Sequence, residues 1–200
     1  MTYGVNAARG LQPVNTGGGY TWNGQANEYP ITATYASSMF IGDPVTLATD
    51  GTVIRATAST AVLGVFQGCQ YIPSTNFAGT VKYPYWPGNP GVQTGTTPVA
   101  LVIDDPMVQY TIQETDAAGA SGTPLTQASV GNNANFLYTA GSTANGLSSV
   151  SINNASTATT LVANLKLVRL DPTVGNTTGA FANWIVQINN DVYKAGSVRP

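Results

Sequence analysis

The sequence predicts an all-β chain, and three observations carry that expectation. The run Val108-Gln109-Tyr110-Thr111-Ile112-Gln113 alternates apolar and polar side chains, the period of a strand with one buried face. No segment holds an i, i+3, i+4, i+7 apolar stripe long enough for a helix. Twenty-two glycines and twelve prolines cut the chain into short pieces, the punctuation of strands joined by turns.

The elements follow in order. Residues 1–38 show no sustained period; Gly17-Gly18-Gly19 and Asn23-Gly24 interrupt it, and Pro13 and Pro30 restrict it. Tyr3, Tyr20, Trp22, Tyr29 and Tyr35 nevertheless lie there, so the segment reads as an extended arm, packed on its own domain or reaching to a neighbour. Such an arm would be removable, leaving a folded protein that binds its partner more weakly. Pro44–Ala48 and Thr52–Ala56 form two strands about the turn Thr49-Asp50-Gly51. Val62–Tyr71 is a third strand whose glycines mark bends or bulges. Three short strands at this spacing resemble an SH3-like meander.

Residues 73–98 hold five prolines, and Tyr83-Pro84-Tyr85-Trp86 argues that this excursion is ordered, because rings are costly to leave in water. Val99–Ile103 is apolar on both faces, as a central strand is, and Asp104-Asp105-Pro106 ends it through Asx-type turn bonds. Residues 117–160 are rich in Ala, Gly, Ser, Thr and Asn and read as a loop-rich insertion, with short strands at Asn135–Thr139 and Leu147–Ile152. Leu165–Leu170 and Trp184–Ile188 close the set. The expected architecture is a small SH3-like or tulip-type β-barrel over residues 39–200, with the arm at 1–38 and the insertion at 117–160; a jelly-roll sandwich is the alternative.

Composition narrows function. Histidine is absent, Cys69 is the single cysteine, and charged residues make up 8% of the 200 positions. A His-based triad and zinc sites of the His/Cys type are therefore unavailable, and no enzyme and no cofactor are expected. Gly17-Gly18-Gly19 leads into neither a helix pattern nor a Gly-Lys-Ser/Thr, so no phosphate loop is indicated. Any two of Asp43, Asp50, Asp104, Asp105, Glu114 and Asp116 could meet about a sugar, and Asp43, Asp50 and Asp116 about calcium, but solvated turn carboxylates account for them more simply. Cys69, in an apolar strand, reads as a small buried hydrophobe.

The seven basic residues, from Arg9 to Arg199, are scattered against nine acidic ones, which predicts no nucleic-acid partner. The N-terminal residues lack a basic-then-apolar leader pattern, and the longest apolar run is far below the roughly 20 residues a spanning helix needs, so no membrane association is expected.

Ile41-Gly42-Asp43-Pro44-Val45, then Asp50-Gly51-Thr52-Val53 and Leu63-Gly64-Val65-Phe66, resemble the strand-and-turn progression of tailed-bacteriophage capsid decoration, or cement, proteins. Tyr85-Trp86-Pro87, Val102–Pro106 and Val186–Asn190 are similar to segments of phage virion proteins of about this length. The resemblance covers about half the chain. It implies a homotrimer made in the host cytoplasm and seated on the outer capsid surface, where it bridges neighbouring copies of the major capsid protein. Aromatic anchors carry most interface energy, which makes Tyr20, Trp22, Tyr29, Tyr83, Tyr85 and Trp86 the candidate partner-binding residues. The alternative is a receptor- or glycan-binding fibre or tail module of a virion.

Overall fold

A computed structural model describes residues 4–58, 60–75, 79–159 and 163–194. Among them the chain is all-β, with a nearly closed, barrel-like sheet; its helical content is two single 3-10 turns. The strands are β1 (Gln12–Thr16), β2 (Asn27–Pro30), β3 (Met39–Phe40), β4 (Pro44–Leu47), β5 (Val53–Arg55), β6 (Gly64–Tyr71), β7 (Val81–Tyr83) and β8 (Tyr85–Trp86). There follow β9 (Val99–Ile103), β10 (Val108–Thr115), β11 (Asn133–Ala134), β12 (Phe136–Leu137), β13 (Ser151–Asn153), β14 (Leu165–Leu170) and β15 (Asn183–Ile188).

One sheet runs β2-β9-β6-β4-β5, with β7 on β6; the other runs β11-β14-β15-β10-β13-β12, with β1 on β10; β3 and β8 pair separately. The first grows from the expected hairpin. Gly51, at φ +82°, closes its turn, and Asp50 Oδ1 accepts from the Thr52 N–H at 3.0 Å and its hydroxyl at 2.7 Å. β6 carries a bulge between Phe66 and Gly68. Without it, Phe66 and Cys69, three residues apart, would face opposite sides of the sheet. With Gly68 at φ +136°, both enter the same core.

The described residues form two hydrophobic clusters, and β6 and β9 lie between them. Val65 and Ile103 face the first, with Tyr110, Phe136, Ile152, Leu167 and Trp184. Phe66 and Val102 face the second, with Ile31, Val45, Val53, Leu63 and Trp86. This is why Val99–Ile103 reads as apolar on both sides. Within the first sheet, β6 and β9 approach closely enough at Gly64 that a Cβ there would sit 2.1 Å from the Ile103 carbonyl oxygen.

Two expectations are corrected. Within the expected arm at 1–38, residues 4–38 do not lie outside the sheets: β1 pairs antiparallel with Val108–Thr111 of β10, β2 pairs antiparallel with β9, and Leu11 and Ile31 are buried. Pairing along neighbouring strands, rather than any period of their own, makes these residues extended. Tyr3 lies outside the described residues. Residues 117–160 are likewise not a mere insertion. They supply β11, β12 and β13, and Phe136, Val150 and Ile152 belong to the first cluster. The loop before them is tied down by Glu114, a fully buried carboxylate of β10 that accepts from the Leu125 N–H at 2.7 Å and the Trp184 indole at 3.3 Å. Burial pushes the Glu114 pKa up, and those bonds oppose the shift.

Candidate functional site

The six candidate anchors separate into two places. Tyr83, Tyr85 and Trp86 belong to the proline-rich excursion, which is folded against the second cluster. Its base is pinned by the Pro73–Val92 bridge, with Ser74 N–H donating to Gly91 at 2.7 Å. β8 pairs with β3, setting Tyr85 on Phe40 in a stack with centroids 5.5 Å apart. Trp86 is not an anchor: it is fully buried, its indole N–H donates to the Tyr35 carbonyl at 2.9 Å, and Tyr71 packs edge-on against it at 5.6 Å. The hydrophobic payload of an indole favours the core once its single donor has a partner. Tyr83 remains 40% exposed and stacks on Tyr71 at 5.3 Å, at the end of the short strand β7.

At another place Tyr20 and Trp22 line one cleft of about 520 Å³, and Tyr29 reaches only the back of its wall, through Asp104. The segment after β1 doubles back on itself. Thr16 N–H donates to the Tyr20 carbonyl at 2.8 Å, Gly19 N–H to the Thr16 carbonyl at 2.9 Å, and Gly17 N–H to the Met107 carbonyl at 2.7 Å. Gly19, at φ +84°, makes the turn. Tyr20 emerges from it 77% exposed, whereas Trp22 is half-buried against the first cluster.

Asp104 and Asp105 form the opposite wall and do different things. Asp105 behaves as expected, Oδ1 accepting from the Met107 N–H at 2.8 Å as the strand ends. Asp104 instead accepts from the Asn27 amide at 2.8 and 3.0 Å and from the Tyr29 hydroxyl at 2.5 Å. Burial, then the Asp104 carboxylate, pushes the Tyr29 pKa up, so this hydroxyl stays a donor. Its oxygen also lies 2.8 Å from the Tyr193 hydroxyl. Tyr29 is thus a bracing residue, partly buried behind Asp104.

The remaining carboxylates serve local structure. Asp43 is fully buried and accepts from the Phe40 N–H at 2.9 Å; burial raises its pKa to about 6, against the pull of Ser148, that N–H and the Arg55 charge. Arg55 lies over the Tyr138 ring, 3.7 Å from its centroid. Asp116 accepts from Ala118 and Ala120 N–H groups at 2.9 and 2.7 Å, closing its own loop. Among the described residues no three His, Cys, Asp or Glu side chains come together as a metal site. Cys69 is buried, as expected, and burial pushes its thiol up to about 12, which leaves it an unreactive thiol. No described helix is long and apolar enough to cross a membrane.

Sequence reasoning placed the rings but not the polar groups that complete the cleft, Asn23, Gln25 and Asn27. A usable signal was present: three amides at alternate positions directly after Trp22. No family model, no curated protein and no solved structure matches this chain.

Proposed function

We propose that the protein is a non-catalytic component of a tailed-phage virion that decorates the outer capsid surface, as a trimer bridging neighbouring copies of the major capsid protein. The observation that carries this reading is the pre-ordered aromatic flap formed by residues 79–98. It presents Tyr83, 40% exposed, on a stacked tyrosine support beside the exposed Lys82. A ring already held in place pays little ordering entropy on docking, and such anchors dominate interface energies. The strand that carries it, β7, pairs on one side with β6. Its outer edge offers backbone groups to a partner's extended segment.

The motifs that resemble those of decoration proteins are in keeping with this reading, because their work here is structural. Gly42, at φ +95°, would place a Cβ 2.7 Å from the Arg9 carbonyl oxygen, and Asp43 caps the turn before β4. Asp50-Gly51 closes the first hairpin. Those residues build a scaffold, and the surfaces around it do the binding.

The test is sedimentation of the purified protein with isolated phage shells that lack it. Saturable binding is expected, and Tyr83→Ala should weaken it at least about tenfold while leaving thermal unfolding nearly unchanged. Failure of the wild-type protein to sediment with shells would overturn the assignment. Full affinity in the variant would remove the flap as its docking surface.

A further inference from the structure

We infer that the cleft between Tyr20, Trp22 and the Asp104–Asp105 wall binds a neutral saccharide, with the rings as stacking faces and the amides and carboxylates holding its hydroxyl groups. The inference stands apart from the capsid reading, since it concerns a different surface and a different class of ligand.

Charge selects the ligand first. The lining contains two carboxylates and neither lysine nor arginine, so phosphates, sulfates and acidic sugars would meet repulsion with no compensating cation. The rings select next. Trp22 is anchored by its packing on the first cluster and by its backbone N–H, which donates to the Val14 carbonyl at 3.4 Å. Tyr20 is the most exposed aromatic among the described residues, yet its backbone is fixed by the turn at Gly17–Gly19. A packed Trp22 and a Tyr20 carried on a fixed backbone, both still wet, gain by covering an apolar ring face, as the C–H face of a pyranose offers.

The polar groups complete the match. An ionised carboxylate has about four acceptor sites. Asn27 and Tyr29 aim Asp104 and fill three of them, leaving capacity for a further donor. Gln25 adds an amide, which both donates and accepts, as a hydroxyl does. A compact cation would satisfy the carboxylates and rings but leave amide donors without use. The cleft volume of about 520 Å³ lies in the usual small-molecule range of about 300–1,000 Å³.

Trp86 and Trp184 are fully buried and Trp22 is not, so acrylamide quenching of tryptophan fluorescence reports chiefly on the cleft. The intact protein would be titrated with neutral trisaccharides of glucose, galactose, mannose and N-acetylglucosamine, with sialyllactose as the anionic probe and choline as the cationic one. At least one neutral trisaccharide should protect Trp22 saturably, and better than sialyllactose or choline. Tyr20→Ala should weaken that protection at least about tenfold with an unchanged melting temperature. The inference is overturned if no neutral trisaccharide protects Trp22, if choline or sialyllactose protects it better, or if Tyr20→Ala binds as the wild type does.

Discussion

Deleting residues 1–30 is expected to abolish cooperative unfolding altogether. The deletion removes β1 from half of one edge of β10 and β2 from the outer edge of β9. It also removes Leu11, which is fully buried, and two backbone bonds, Gly10 N–H to Val150 at 3.1 Å beside β13 and Leu11 N–H to Gly42 at 2.9 Å beside β4. Losing one buried leucine side chain costs about 2–5 kcal/mol, and the uncovered edges of two central strands add to that. Against a total stability of roughly 5–15 kcal/mol, little remains. Urea denaturation followed by circular dichroism should show no sigmoidal transition. A soluble truncated protein with a wild-type denaturant slope would contradict the integration of this segment, and would restore it to the status of an arm.

Phe66→Ala should cost about 3–5 kcal/mol. The ring is fully buried in the second cluster, where the bulge at Gly68 brings Cys69 onto the same face and Val102 contributes from β9. The site has little freedom to collapse around the cavity. Phe66 N–H donates to the Asp43 carbonyl at 2.9 Å, and its carbonyl accepts from Gly42 N–H at 2.9 Å, fixing the backbone on both sides. The shift in urea midpoint measures the loss. A value below about 1 kcal/mol would mean that the side chain is not packed as described.

The parts of this fold that were legible from sequence are those whose burial has a period. Val108, Tyr110 and Ile112 face the first cluster as their alternation requires, and the hairpin about Asp50-Gly51 forms where its turn residues place it. β2, Asn27-Glu28-Tyr29-Pro30, is mostly exposed and carries no alternation; it is a strand because β9 offers it an edge. β1 contains Pro13 and a register shift before Asn15, both of which hide it from a periodic reading. β11 and β12 have two residues each, too few for any period to register. The site shows the same division. Side-chain type found the rings but could not separate Trp86, whose donor is satisfied inside the core, from Trp22 and Tyr20, which remain open to solvent. The cleft unites residues 16–27 with 104–108, and that juxtaposition exists only once β1 has paired with β10 and β2 with β9.

A copy count on intact virions, by quantitative mass spectrometry with the major capsid protein as internal standard, tests the proposed capsid role. A capsid decoration protein should be present in a fixed ratio to the major capsid protein, in copy numbers that match the three-fold positions of the shell, and should stay with heads when tails are removed. A count at the level of tail or fibre proteins, lost from the particle along with the tails, would contradict the account.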